Sequence, residues 1–223
     1  MKRKGTIRKA AAILVNILIP ILAFGSWGVM VTGRDTGSIL TSARFISLKY
    51  FTIDSNLLMG LASLCILPWQ IRSLADENVK IPLPVFVLKL TGTTSVSLTF
   101  LVVMVFLGPV FGYPGMFKGA NLYLHLVVPV LAILIFCLAE GTDRLTPGHT
   151  VIAAIPMLIY GLIYLGNILI NGVGQWPNTN DWYGFTMWGV PAGFLVYIVI
   201  ALVTWLIAVL LRLANRKACR HTG

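Results

Sequence analysis

The chain has little charge, and very little of it is acidic. Charged residues make up 11% of the 223 positions, with seven Asp and Glu against seventeen Lys and Arg. Soluble domains carry about a quarter charged residues, so a water-facing surface cannot be assembled from this sequence. A cysteine pattern is also lacking. Cys65, Cys137 and Cys219 are scattered, with neither a CxxC nor a zinc spacing, and they are read as inert thiols in a reducing compartment. Absent too is a basic stripe interleaved with exposed aromatics, so the net charge of +10 does not point to nucleic acid. There is no internal repeat, no low-complexity tract and no polar stretch long enough for a separate soluble domain.

What remains is apolar: 57% hydrophobic residues and a mean hydropathy of +0.88. A membrane-spanning helix needs ~20 mostly apolar residues, and six stretches meet that length. The expected fold is therefore all-α, a single polytopic transmembrane bundle over 1–223. Its spans fall at about 10–32, 45–68, 85–111, 121–139, 150–171 and 189–211. The connections are short, so neighbouring helices should run antiparallel. The start, MKRKGTIRK before AAILVNILIPILAFG, resembles a signal peptide, but its apolar run exceeds the usual ~7–15 residues and is read as an uncleaved first span.

Twelve basic residues fall in the segments on the side of the two termini, and only Arg34, Arg44 and Lys118 on the opposite side. That asymmetry predicts both termini in the cytoplasm. Lys49 and Lys89 lie near span ends, where a long stem can snorkel to the headgroups. Trp176, Trp182, Tyr183 and Trp188 crowd the last outer loop. They are expected to form an interfacial belt, with a lid over a site as the alternative. Pro20, Pro109, Pro129, Pro156 and Pro191 fall within spans. Each deprives the carbonyl four residues earlier of its usual partner, which favours a packed bundle with an internal polar region.

Polar residues inside spans are costly and therefore informative. The second span opens Lys49-Tyr50-Phe51-Thr52-Ile53-Asp54-Ser55-Asn56. On a helix Thr52, Ser55, Asn56 and Met59 share one side, and Asp54 points away from Thr52. An acid there must face the bundle, find a partner or stay protonated. In the third span Thr91, Thr93, Thr94, Ser95, Ser97 and Thr99 are read as packing residues. In the fourth, Asn121 and His125 share a face, and Pro129 frees the carbonyl of His125 itself. His125 is the one histidine inside a predicted span; His149 and His221 are expected in water. No second His or Cys follows at ligand spacing, so no metal site is expected. Counting ~1.5 Å per residue from Arg44 and Lys118 places Thr52 and His125 in one layer about 10 Å deep. A hydroxyl beside an imidazole is the core of nucleophilic acyl transfer, although nothing here matches GxSxG. The same groups can equally form an interhelical hydrogen-bond network.

The stretches KYFTIDSNLL (49–58) and NLYLHLVVP (121–129) resemble a family of androgen-induced six-span proteins that hydrolyse fatty acid esters of hydroxy fatty acids. The TIxSNLL run is most similar to the bacterial branch of that superfamily. The resemblance covers the six-span layout and both motifs, while the outer loops differ from the eukaryotic ones. It implies that Thr52 is the nucleophile and His125 the general base, acting without a cofactor on a lipid ester that enters from the bilayer. Asn121, Asn56 or Asp54 would orient the ring or polarise the carbonyl, Asn121 being favoured for its shared face with His125. Asp54 departs from the bacterial branch, where Gln is frequent. The short loops and this likeness point to a bacterial inner membrane. The alternative is a non-enzymatic protein, a small-solute carrier or accessory subunit, in which Asp54, Asn56 and His125 form a polar network. Acyl transfer by the same nucleophile is a third possibility. No oligomeric state is implied.

Overall fold

The computed structural model describes residues 2–34, 44–175 and 178–220; Trp176 and His221 lie outside them. Six helices are long and apolar enough to cross a membrane: α1 (Gly5–Val31), α2 (Phe51–Ala75), α3 (Leu83–Phe111), α4 (Ala120–Leu138), α5 (Pro147–Asn171) and α6 (Val190–Cys219). No strand occurs among the described residues. The chain is an integral, multi-pass membrane protein.

The start of α1, the end of α6 and the α2–α3 and α4–α5 loops gather at one end, here called the terminal end. Lys9 Nζ donates to the Ser73 carbonyl at 2.9 Å and Arg212 Nε to the Leu145 carbonyl at 2.7 Å. The other end is the far end. His149, expected in water, closes a reciprocal cap with Thr146 at the start of α5.

Two helix ends differ from expectation for a physical reason. The span expected from 45 starts instead as a 3-10 helix, Arg44–Lys49, and α2 proper begins at Phe51. Ser47 contributes to this, its hydroxyl donating to the Arg44 carbonyl at 2.7 Å. At its other end α2 runs through Pro68 to Ala75 rather than stopping near 68. Gln70, whose polarity suggested a loop, is buried.

α3 is the hub and packs against α2, α4, α5 and α6. Its hydroxyl-rich stretch from Thr91 to Thr99 is buried. Thr91, Thr93, Ser95 and Ser97 each donate to the carbonyl four residues back, at 2.6–3.0 Å. Bonded inward, they present small, satisfied surfaces that let neighbouring helices approach. At Gly92 an added Cβ would sit 3.0 Å from the Met59 Cα, so α2 and α3 meet almost backbone to backbone.

Two π turns interrupt the bundle, Val103–Leu107 in α3 and Tyr123–Val127 in α4. Each ends two residues before a proline, Pro109 or Pro129. Proline cannot donate to the carbonyl four back. The ladder widens instead, with Gly108 N–H reaching the Val103 carbonyl and Val128 N–H the Tyr123 carbonyl. Such widened turns cluster at functional sites, and here one of them carries His125.

The core falls into layers. Phe86, Leu90, Phe136 and Leu211 pack toward the terminal end, Ile19, Met59, Val96 and Val128 at mid-depth, and Met30, Tyr50, Ile53 and Leu124 toward the far end. Val105, Leu162, Ile163 and Leu202 are exposed on the helix flanks, where they meet lipid rather than water.

Candidate functional site

Thr52 sits in the first turn of α2, closer to the helix start than residue counting suggested. It lines a narrow cavity at the far end. The walls come from α2, α3, α5 and α6, and the α5–α6 loop contributes Tyr183 and Phe185. Leu98, Val102, Leu165 and Ile200 make the surface largely apolar; Thr52, Thr99 and the hydroxyl-bearing Tyr160, Tyr164, Tyr183 and Tyr197 supply its polar points. A cavity with this lining suits an extended hydrocarbon with one polar junction.

His125 does not belong to that wall. It is buried, at 1% exposure, in the π turn of α4. Its Nδ1 lies 2.9 Å from the Met116 carbonyl. A carbonyl can only accept, so Nδ1 carries the proton and Nε2 keeps its lone pair, which is the tautomer a general base needs. Met116 closes a single helical turn, Tyr113–Met116, in the α3–α4 loop. That turn is bounded by Gly112 (φ 86°) and Gly119 (φ 60°), which let the loop fold back over the ring.

Asn56 connects the two motifs. Its Nδ2 donates to the Thr52 carbonyl at 2.7 Å and to the Leu124 carbonyl, one residue before His125, at 3.0 Å. One amide nitrogen thus bridges the backbone of the Thr52 turn to that of the His125 turn, and the two motifs lie at the same depth on adjacent helices. Ser55 extends the connection, bonding the Thr52 carbonyl at 3.1 Å and the Thr99 hydroxyl at 2.9 Å. No hydrogen bond joins the Thr52 hydroxyl to the His125 ring. Asn56 Oδ1 is buried and has no hydrogen-bond partner among the described residues, which leaves a free acceptor beside the pair. Asn121 is buried one turn before His125. Asp54 is not brought to the cavity. It lies in a separate groove between α2 and α5, on the other side of Phe51 and Tyr160.

The α5–α6 loop forms a roof over this region rather than a belt around it. Tyr183 OH accepts from Phe51 N–H at 3.0 Å, satisfying a free donor at the start of α2. Trp182 Nε1 donates to Tyr160 OH at 3.1 Å, and Tyr160 OH donates to the Lys49 carbonyl at 2.6 Å. Asp181 anchors the roof. It accepts from the Tyr164 hydroxyl, from Phe185 N–H at 2.9 Å and from the Thr186 N–H and hydroxyl at 2.9 and 2.6 Å. Burial pushes the Asp181 carboxyl up, but the donors from Thr186, Tyr164 and Phe185 outweigh it and hold it below the ordinary value of 3.8. Lys49 lies at the interface with its Nζ over the Tyr50 and Trp182 rings, 5.2 and 5.4 Å from their centroids. Burial lowers its pKa. Trp188, by contrast, is exposed.

A second polar centre, toward the terminal end, went unread in the sequence. Lys89 does not snorkel; it is wholly buried. Its Nζ donates to Asn16 Oδ1 and to Ser63 Oγ (3.0 Å), and lies 3.8 Å from Glu140 Oε2. Glu140 Oε1 accepts from Asn16 Nδ2 and from Gln70 Nε2 (2.8 Å). Three helices and the end of α4 are thus tied by one charge pair. Lys89 stays inside because an acid just past the end of the neighbouring helix comes within reach of its stem, and a paired ammonium has no need of the interface. Among the described residues no group of three His, Cys, Asp or Glu could hold a metal ion.

No family model matches the chain, and neither a curated protein nor a solved structure matches it.

Proposed function

We propose that the protein is an intramembrane hydrolase of lipid esters, with Thr52 as nucleophile and His125 as general base. The observation that carries this reading is the position of Thr52 in the wall of a largely apolar cavity, bridged through Asn56 to the turn that holds His125 in its basic tautomer. In the reaction His125 Nε2 takes the Thr52 hydroxyl proton as the oxygen attacks the ester carbonyl. The tetrahedral species collapses to an acyl-threonine, and the alcohol leaves with the proton returned by His125. Water, deprotonated by the same ring, then releases the fatty acid and restores Thr52. Asn56 Oδ1 can accept a hydrogen bond from that water. The hydroxyl-to-ring bond has to form as substrate seats, since catalytic hydrogen bonds are often long in resting sites. The likeness of both motifs to the androgen-induced hydrolases supports the same residues and the same substrate class, an ester of a long-chain acid. The excess of basic residues at the terminal end supports a cytoplasmic position for both termini and an outward-facing cavity.

The test is hydrolysis of a fluorogenic long-chain ester by purified protein. Thr52→Ala and His125→Ala should each abolish turnover while leaving expression and thermal stability near wild type, and a fluorophosphonate probe should label wild type at Thr52. Turnover retained in both variants defeats the proposal and favours the non-enzymatic reading, in which these residues only pack.

A further inference from the structure

We infer that the groove holding Asp54 is a binding site for the ammonium headgroup of a membrane lipid. The groove runs between α2 and α5 and is separate from the Thr52 cavity. Asp54 is the one acid in its wall. No hydrogen bond or ion pair reaches its carboxyl from the described residues. Lys49, the nearest candidate partner in sequence, is engaged by the Tyr50 and Trp182 rings instead. A carboxylate half withdrawn from water beside hydrocarbon is favoured by a cation that meets it.

The rest of the groove defines that cation. Phe51 and Tyr160 flank Asp54 as a tilted ring pair with centroids 5.1 Å apart. The Tyr160 hydroxyl is already used by the Lys49 carbonyl and Trp182, so its remaining contribution is the ring face. Aromatic surface beside one carboxylate makes a site for an ammonium ion. Depth then separates a lipid from a soluble amine. Asp54 is three residues into α2, or about 5 Å from its start, and the preceding 3-10 helix carries Arg44 and Lys49. That is the boundary between headgroups and hydrocarbon. One turn further from the far end the wall is Leu58, Pro156 and Ile159, which accommodates an acyl chain. Charge at the top and apolar surface below match the polarity of an amine-bearing phospholipid in the adjoining leaflet.

The site does not depend on the catalytic reading. Native mass spectrometry of the detergent-solubilised protein, with dioctanoyl phosphatidylethanolamine and dioctanoyl phosphatidylglycerol as probes, tests it. Wild type should bind the ethanolamine lipid about tenfold more tightly, the scale of one charge-assisted contact. The near-isosteric Asp54→Asn should erase that preference, and Phe51→Leu should reduce it. Thr52→Ala should leave it intact, so loss of hydrolysis and loss of lipid preference are separable. Equal binding of the two lipids by wild type overturns the assignment, as does a preference that survives in Asp54→Asn.

Discussion

Replacing Lys89 with Met is the sharpest probe of how the bundle is held together. The two side chains of the Lys89–Glu140 pair are 0% and 1% exposed, with 3.8 Å between Nζ and Oε2. At an effective dielectric near 20 that separation corresponds to roughly 4 kcal/mol of attraction. Truncation also strips the donor from Asn16 Oδ1 and Ser63 Oγ, and leaves Glu140 with only its bonds from Gln70 and Asn16. Removing one partner of a buried pair costs about 3–5 kcal/mol, and Lys89→Met should fall at the upper end because two further acceptors are orphaned. Glu140→Leu should cost a similar amount, by stranding the ammonium. Removing both partners leaves no unpaired charge, so the double variant should be less destabilised than the sum of the singles by about 2 kcal/mol or more. Unfolding by denaturing detergent in mixed micelles, read by circular dichroism, gives all four corners of the cycle. Interhelical hydrogen bonds in membranes average only about 0.6 kcal/mol, and this sets the refuting result. If each single variant loses about 1 kcal/mol or less and the losses add, the pair is an ordinary polar contact and the charge argument is wrong.

Three further outcomes are expected. Thr52→Ser should keep measurable ester turnover where Thr52→Ala has none, because the attacking oxygen survives; equal turnover in both would mean that the hydroxyl does no chemistry. Gly161 faces the cavity, and an added Cβ would lie 2.3 Å from the Tyr197 ring. Gly161→Val should therefore push that ring inward and lower turnover of long-chain esters more than of short ones; an unchanged chain-length profile would move the substrate elsewhere. Asp181 is more acidic in the folded loop than its ordinary 3.8, so the unfolded loop takes up protons first. Its contribution is whole above the ordinary carboxylate range, shrinks as pH falls through 3.8 and is gone below the folded value. Trp182 fluorescence should report this loosening in wild type, and Asp181→Asn should be loosened already at pH 7 and lack the acid step.

Spans and site residues were legible to different degrees because they are encoded differently. Lipid demands about twenty apolar residues per crossing, a local property, so six helices could be read directly. The errors at their ends came from treating polarity as exposure: Gln70 looked like a loop residue but is buried against Glu140. Thr52 and His125 stood out as costly residue types at matched depths. The group that sets the His125 tautomer did not, because it is the Met116 backbone carbonyl, and a carbonyl has no sequence signature. The two lysines near span ends show what decides such cases. The same argument had both snorkel; Lys49 ends at the interface among aromatic rings, whereas Lys89 is buried. The difference lies on another helix. α3 enters at the terminal end six residues before Lys89, and α4 leaves there two residues before Glu140. Counted from those ends, Lys89 starts about 9 Å inside and Glu140 about 3 Å beyond, and the lysine stem, leaning toward the start of its own helix, and the glutamate stem close the difference from both sides. A lysine inside a span remains there when a neighbouring helix end offers an acid within reach of its stem, and that offset, unlike packing angle, can be counted from the sequence.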